Sequence, residues 1–285
     1  MRNRKFLSQA RKNIMVAVSG GRSSAMMARI IQTSEKYKNY NKLYVFANTG
    51  MERKQTINFL RNIEKYWGIE IKKVEGIYSK KMGIGVSYNI IKSYNDLDMQ
   101  ANTFSQAIMH KNKGIFKGVP NSAAPYCSSM LKTIPCKKLA DDIFGVNNYI
   151  TAIGFRAEDM PKRITWVEIE NDENRIFPLL SDFRNDPISN SHLNRWWSKQ
   201  KFKLELHGNL GNCELCWKKS RNILIDNIRY GTRFVGWWRE MEEKYENTSF
   251  RNHESIDDLV RDASLPYTIK IDFEENEDYN CVCTF

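Results

Sequence analysis

Histidine is scarce in this chain: four stand in 285 residues, and His110, His192, His207 and His253 lack the i, i+4 or short-loop spacing of paired metal ligands. They read as surface residues rather than as a histidine-built catalytic centre. No apolar run of leader or membrane-span length opens the sequence, since Met1 to Lys12 is basic and polar, and the expectation is a soluble, cytoplasmic protein with no membrane partner. A lysine-closed G-x-x-x-x-G-K-[ST] loop is also missing, which excludes a Walker-type phosphate loop. No internal repeat or low-complexity block interrupts the chain.

What is present fits a packed enzyme-sized fold. Hydrophobic residues make up 41% of the chain, enough over this length for one α/β domain with an appended helical part. The formal net charge of +11 points to an anionic partner, either a nucleic acid or an anionic small substrate. Six cysteines in a chain of this length without a leader favour metal or redox chemistry over a disulfide framework.

The most informative stretch is Asn13-Ile-Met-Val-Ala-Val-Ser-Gly-Gly-Arg-Ser-Ser24 followed by Ala25-Met-Met-Ala-Arg-Ile-Ile31. An apolar run of strand length opens into a Ser/Gly loop and then a helix. Loop amides and the unsatisfied first turn of the helix would converge on one point, which suits phosphate or sulfate. Apolar alternation continues with a strand over 43–47, a helix over 52–67 stopped by Gly68, and a short strand over 69–74, the pattern of a parallel, doubly wound sheet. The stretch 75–120 breaks the pattern and reads as an insertion or lid with one helical piece over 103–111. Strand character returns over 148–153 and a short pairing segment follows at 176–180. Helical periodicity then dominates over 187–200, 217–230, 233–244 and 256–263. The expected organisation is a nucleotide-binding domain over 1–183 and a helical, cysteine-bearing region over 184–285.

Five segments in order resemble one superfamily. The loop Ser19-Gly20-Gly21-Arg22-Ser23-Ser24 is similar to the S-G-G-x-[DTS]-S pyrophosphate loop, and Asn48-Thr49-Gly50 to an [DN]-T-G strand end. The segment Cys127-Ser-Ser-Met-Leu-Lys-Thr-Ile-Pro135 looks like C-T-x-x-L-K-x-x-P, and Gly154-Phe-Arg-Ala-Glu-Asp-Met-Pro-Lys-Arg163 like G-x-R-x-[DE]-E-x-x-R. Cys213-Glu-Leu-Cys216 matches a cysteine pair of the cluster-bearing branches. The chain thus resembles the PP-loop ATP pyrophosphatases and phosphoadenylyl-sulfate (PAPS) reductases over residues 14 to 220. The resemblance implies a doubly wound, mostly parallel α/β sheet that binds ATP, or PAPS or APS, with Mg²⁺.

It also implies roles. Ser19, Gly20, Gly21, Arg22, Ser23 and Ser24 would cradle phosphates, with Asn48, Thr49 and Gly50 beside the nucleotide. Gly154, Arg156, Glu158 and Arg163 would form a phosphate clamp, Lys132 would add a point charge, and Arg22, Ser23, Arg156 and Lys132 would serve catalysis. Thr49 followed by Glu52 also has the spacing of a helix capping box. Cys127, Cys213 and Cys216 would hold a [4Fe-4S] cluster or Zn²⁺, with Cys283, Cys281 or Cys136 as fourth ligand, although Cys136 also reads as a small buried hydrophobe.

The implied activity is ATP-dependent adenylation coupled to sulfur transfer, onto a nucleic acid (tRNA or DNA) or a small acceptor. A thiol or sulfur-donor protein and a homodimer are admitted as partners. Two departures keep alternatives open. Ser23 stands where ATP pyrophosphatases carry Asp, which allows a non-catalytic nucleotide-binding protein. A reductase releasing sulfite is the other, although its E-C-G-x-H tail is absent and the chain ends near Cys281-Val-Cys283. The pairs Trp196-Trp197 and Trp237-Trp238 read as helix packing, with stacking on bases as the other use.

Overall fold

A computed structural model describes residues 12–206, 210–245, 249–251 and 253–266. Its centre is a six-stranded sheet in the order β4-β3-β2-β1-β5-β6. Strands β1 (Asn13–Ala17), β2 (Asn41–Ala47), β3 (Ile71–Ile77), β5 (Ile150–Ala152) and β6 (Arg175–Ile176) run parallel, and β4 (Ser87–Ile91) pairs antiparallel at the edge. The chain winds outward from β1 to β3 and then returns to the other side of β1 at β5, so the topological switch lies between β1 and β5. Open α/β sheets bind ligands at the carboxyl ends of the strands flanking that point.

Both faces of the sheet are covered, which is why β1 is an unbroken apolar run rather than an alternating one. Ile14, Val16, Tyr44 and Phe46 pack with helices α1 (Arg22–Thr33) and α2 (Lys54–Trp67) in one cluster. Met15, Leu43, Val45 and Val74 face Cys136, Leu139 and Ala140 of the helix on the other side. Ile14, Met15, Val16 and Ala17 are all nearly inaccessible, each large side chain contributing about 1.5–3 kcal/mol of burial. Helix α2 buries Thr56, Ile57, Phe59, Leu60 and Ile63 at i, i+3, i+4 spacing and stops at Gly68, whose N–H caps the Glu64 carbonyl.

The expected insertion contributes secondary structure of its own: β3 runs on to Ile77, β4 extends the sheet, and α3 (Asn102–Lys111) buries Phe104, Ala107 and Ile108. These pack in a second core with Met51, Leu215, Leu224, Trp238, Phe250 and Leu259. Phe104 meets Trp237 and Trp238 edge-on at 5.3 and 5.8 Å. The segment is therefore a packed layer rather than a free-standing lid.

A helical run that sequence reading does not find follows: α4 (Tyr126–Ser128), a π turn (Ser129–Thr133) and α5 (Ile134–Phe144). Pro135 argues against a helix on sequence, but the π turn carries the chain into α5 with Pro135 in its first turn, where its missing N–H costs nothing. Short helices α6 (Trp166–Asn171) and α7 (Pro178–Ser181) flank β6, so the expected pairing segment at 176–180 is half strand, half helix. The later helices are α8 (Asn190–Trp197), α9 (Arg221–Tyr230), α10 (Val235–Lys244) and α11 (Ile256–Ser264), each shorter than the periodicity suggested or close to it. Trp197 is buried against Phe59, Trp67 and Phe202, so it serves packing. His110 is buried beside Ser79, 2.8 Å from its carbonyl, and is not a surface residue; burial pulls its pKa down. No described helix is long and apolar enough to cross a membrane.

Candidate functional site

The loop after β1 is stitched by its own serines. Ser24 Oγ accepts from the Ser19 amide at 3.1 Å and the Ser19 hydroxyl at 3.0 Å, and donates to the Gly21 carbonyl at 3.0 Å. The Ser19 and Ser24 hydroxyls, expected on a phosphate, bond to one another within the loop. Gly20 lies at φ +76°, and a Cβ there would collide with Thr56 Cγ2 of α2. Only glycine allows that turn against that helix.

Helix α1 begins at Arg22 with Gly21 as N-cap, no side-chain cap and no acidic residue in its first turn. Its first amides and positive dipole end are left without a capping carboxylate or hydroxyl, a ready anion site. Arg22, Ser23 and Ser24 are the first three residues of that turn.

From the other side of the switch point comes the loop after β5. A Cβ on Gly154 would lie 3.1 Å from Ser24 N and Cα, so this glycine lets the loop close on the start of α1. Arg156 is nearly buried, its amide donating to Asp159 Oδ2 at 2.8 Å, its Nε 3.8 Å from the same oxygen, and its Nη1 on Asn190 Oδ1. Arg163 reaches Asp159 Oδ1 at 2.9 Å, and Glu158 accepts from the Asn190 amide at 2.6 Å. Arg22 Nη1 donates to Asn194 Oδ1 at 2.7 Å. Burial first, and then the charge of Arg156, pull the Arg22 pKa down. Two guanidiniums thus press on one another beside an uncapped helix start, with one carboxylate, Asp159, shared between Arg156 and Arg163. An anion placed there relieves the repulsion.

The other expected residues follow β2 or lie on the π turn. Asn48 is buried, its Nδ2 donating to Glu75 Oε1 at 2.6 Å and the Asp98 carbonyl at 2.7 Å, while its Oδ1 has no partner among the described residues. Thr49 donates to Glu52 through both its amide and its hydroxyl, each 2.9 Å from the carboxylate, but the Thr49 hydroxyl accepts from the Met51 amide at 3.3 Å and α2 starts at Lys54. The capping-box pattern therefore makes a buried turn and not a helix cap. Gly50 sits under Ala101, whose amide donates to its carbonyl at 2.9 Å. Lys132 is buried on the π turn, 3.9 Å from Glu52 Oε1. Burial pushes the Glu52 carboxyl up, against the opposing pull of Lys132 and the Thr49 hydrogen bonds.

Asn212 is the residue sequence reasoning missed. Its side-chain amide donates to the Ser19 carbonyl at 3.0 Å, its Oδ1 lies 3.4 Å from Thr56 Oγ1, and its carbonyl accepts from the Arg53 amide at 2.8 Å. Glu52 and Cys213 form an antiparallel bridge and the Glu214 amide donates to the Met51 carbonyl at 2.9 Å. The only signal in the sequence was its place just before the cysteine pair.

The cysteines are partly assembled. Cys127 and Cys213 both border the second core, and Lys218 Nζ donates to Ser128 Oγ at 2.8 Å, joining the two cysteine segments. Among the described residues, however, no group of three or more His, Cys, Asp or Glu is placed to hold a metal ion, so Cys127, Cys213 and Cys216 do not make one. Cys281 and Cys283 lie outside the described residues. Cys136 is fully buried and burial raises its thiol pKa, which fits the small-hydrophobe reading and not a ligand.

Comparison with known proteins adds one relative. An uncharacterized nin region protein, ORF290 of Escherichia phage lambda, is 31% identical over 206 residues, which is 72% of this chain. The chain spans 66% of that relative's length. No family model matches the chain. No solved structure matches it.

Proposed function

We propose that this protein binds an adenine nucleotide with its phosphates in the loop 19–24, and uses ATP to adenylate an acceptor that then receives sulfur. The observation that carries the reading is the meeting, at the β1/β5 switch point, of an uncapped α1 N-terminus with Arg22 and Arg156. Pyrophosphate is the group whose charge such a site answers.

ATP enters with its Mg²⁺ as the substrate complex. An acceptor oxygen attacks the α-phosphorus, the bond from that phosphorus to the bridging oxygen breaks, and pyrophosphate leaves with the electron pair. The α1 amides hold phosphate oxygens, and the two arginines stabilise charge growing on the leaving group, an interaction stronger in the transition state than in the ground state. A hydrosulfide-class nucleophile from a thiol or sulfur-donor protein then displaces AMP, so that sulfur takes the place of the oxygen.

The test uses the full chain with γ-labelled ATP, with and without nucleic acid and a sulfide source. Acceptor-dependent release of pyrophosphate supports the reading. Sulfite released from PAPS replaces it with the reductase, and saturable binding without turnover leaves a nucleotide-binding protein.

A further inference from the structure

Helix α8 carries a second surface beside the anion loop. Asn190 and Asn194, four residues apart, hold Arg156 and Arg22. On the neighbouring face lies a cleft of about 510 Å³, with buried Met26 and Ile188 at its base, the rings of Phe183 and Trp196, and Arg195 and Lys199 at its rim.

The exposed charge there is predominantly positive, with Asp186 as the exposed carboxylate. From Pro187 to Leu204 the chain contains no Asp or Glu, while Arg195, Lys199, Lys201 and Lys203 are all exposed. Two carboxylates do line the cleft, but Asp182 is taken by Tyr37 Oη at 2.7 Å and by Lys36, and Asp186 lies 3.4 Å from His192 Nε2. The ring of Trp196 is braced edge-on by Trp67 at 5.9 Å and Trp197 at 4.8 Å. A braced ring loses little freedom when a flat partner stacks on it.

Fixed aromatic faces interleaved with exposed cations are what an unstacked base and its flanking phosphates need. We infer that this cleft binds a single-stranded nucleic acid, with a base on Trp196 and phosphates at Arg195 and Lys199, and that this strand is the acceptor. A duplex keeps its bases stacked and offers the ring nothing, and an acidic protein would use the cations without it. The acceptor role rests on the nucleotide reading above, whereas strand binding is measured without ATP, so the two can fail separately.

The experiment titrates the full chain into a fluorescein-labelled single-stranded oligonucleotide, as RNA and as DNA, over a range of salt. A duplex of the same sequence and phosphatidylserine vesicles serve as competitors. Arg195→Ala/Lys199→Ala is expected to weaken single-strand binding about tenfold and to lower the log–log salt slope by about 1.4, or about 0.7 per lost phosphate contact. Trp196→Leu is expected to cost roughly fivefold or more. Lys137→Ala/Lys138→Ala, on α5 across the sheet, is expected to change nothing. If Trp196→Leu does not fold, quenching of tryptophan emission by the strand takes its place. Single-strand affinity within twofold of the unaltered protein in Arg195→Ala/Lys199→Ala, or equal competition by duplex or vesicles, would overturn the inference.

Discussion

The side-chain amide of Asn212 donates to the carbonyl of Ser19, 3.0 Å away and 193 residues earlier in the chain. With the Asn212 carbonyl on the Arg53 amide, the segment bearing Cys213 and Cys216 becomes a brace for the anion loop. The two motifs far apart in sequence are one piece of structure.

Removing that brace should loosen the loop without unfolding the sheet. Asn212→Ala deletes the part-buried bond to Ser19 and the longer one from Thr56, together worth about 1–2 kcal/mol, and leaves the Ser19 carbonyl unpaired. The expected outcome is a five- to tenfold loss of affinity for an ATP analogue by calorimetric titration, with an unchanged circular dichroism spectrum. Unchanged affinity would mean that the loop holds its shape alone.

Gly20→Ala tests the turn itself. It combines a left-handed backbone conformation with a collision against Thr56, at a combined cost of about 2–4 kcal/mol. Thr56→Ala in the same chain removes the collision and leaves the backbone cost, so the double variant should recover part of the lost melting temperature. Full recovery would show that the φ value at residue 20 carries no strain.

Stability should also depend on pH through Glu52. Burial raises its pKa above the ordinary 4.5, so the folded chain holds this proton more tightly than the unfolded one. That contribution is complete below about pH 4.5 and is lost as pH rises through the folded value. Glu52→Gln does not titrate. In urea denaturation between pH 4 and 7, the stability of Glu52→Gln relative to the unaltered protein should therefore increase with pH. A difference independent of pH would contradict the shift.

The parts of this fold legible in the sequence were those set by local pattern. Val16 and Val18 in an unbroken apolar run announced a strand buried on both faces, and Gly68 after Trp67 announced the end of α2. The helical run through Pro135 was hidden because the π turn that admits the proline has no local signature. Thr49 and Glu52 had capping-box spacing, and the bonds from Thr49 to the carboxylate formed, but tertiary packing delayed the helix to Lys54. At the site, Arg22 and Arg156 could be named from their motifs. The side chains that aim them, Asn190 and Asn194, and Asn212, which braces the loop, could not, because each acts through contacts across the fold.

Calorimetric titration of the full chain with a non-hydrolysable ATP analogue, repeated with Arg22→Ala and Arg156→Ala, tests most directly whether the β1/β5 switch point holds the phosphates. The account predicts saturable binding that each substitution weakens at least tenfold, about 1.4 kcal/mol, while AMP binds more weakly than ATP. Absence of binding, or binding that neither substitution changes, would contradict it.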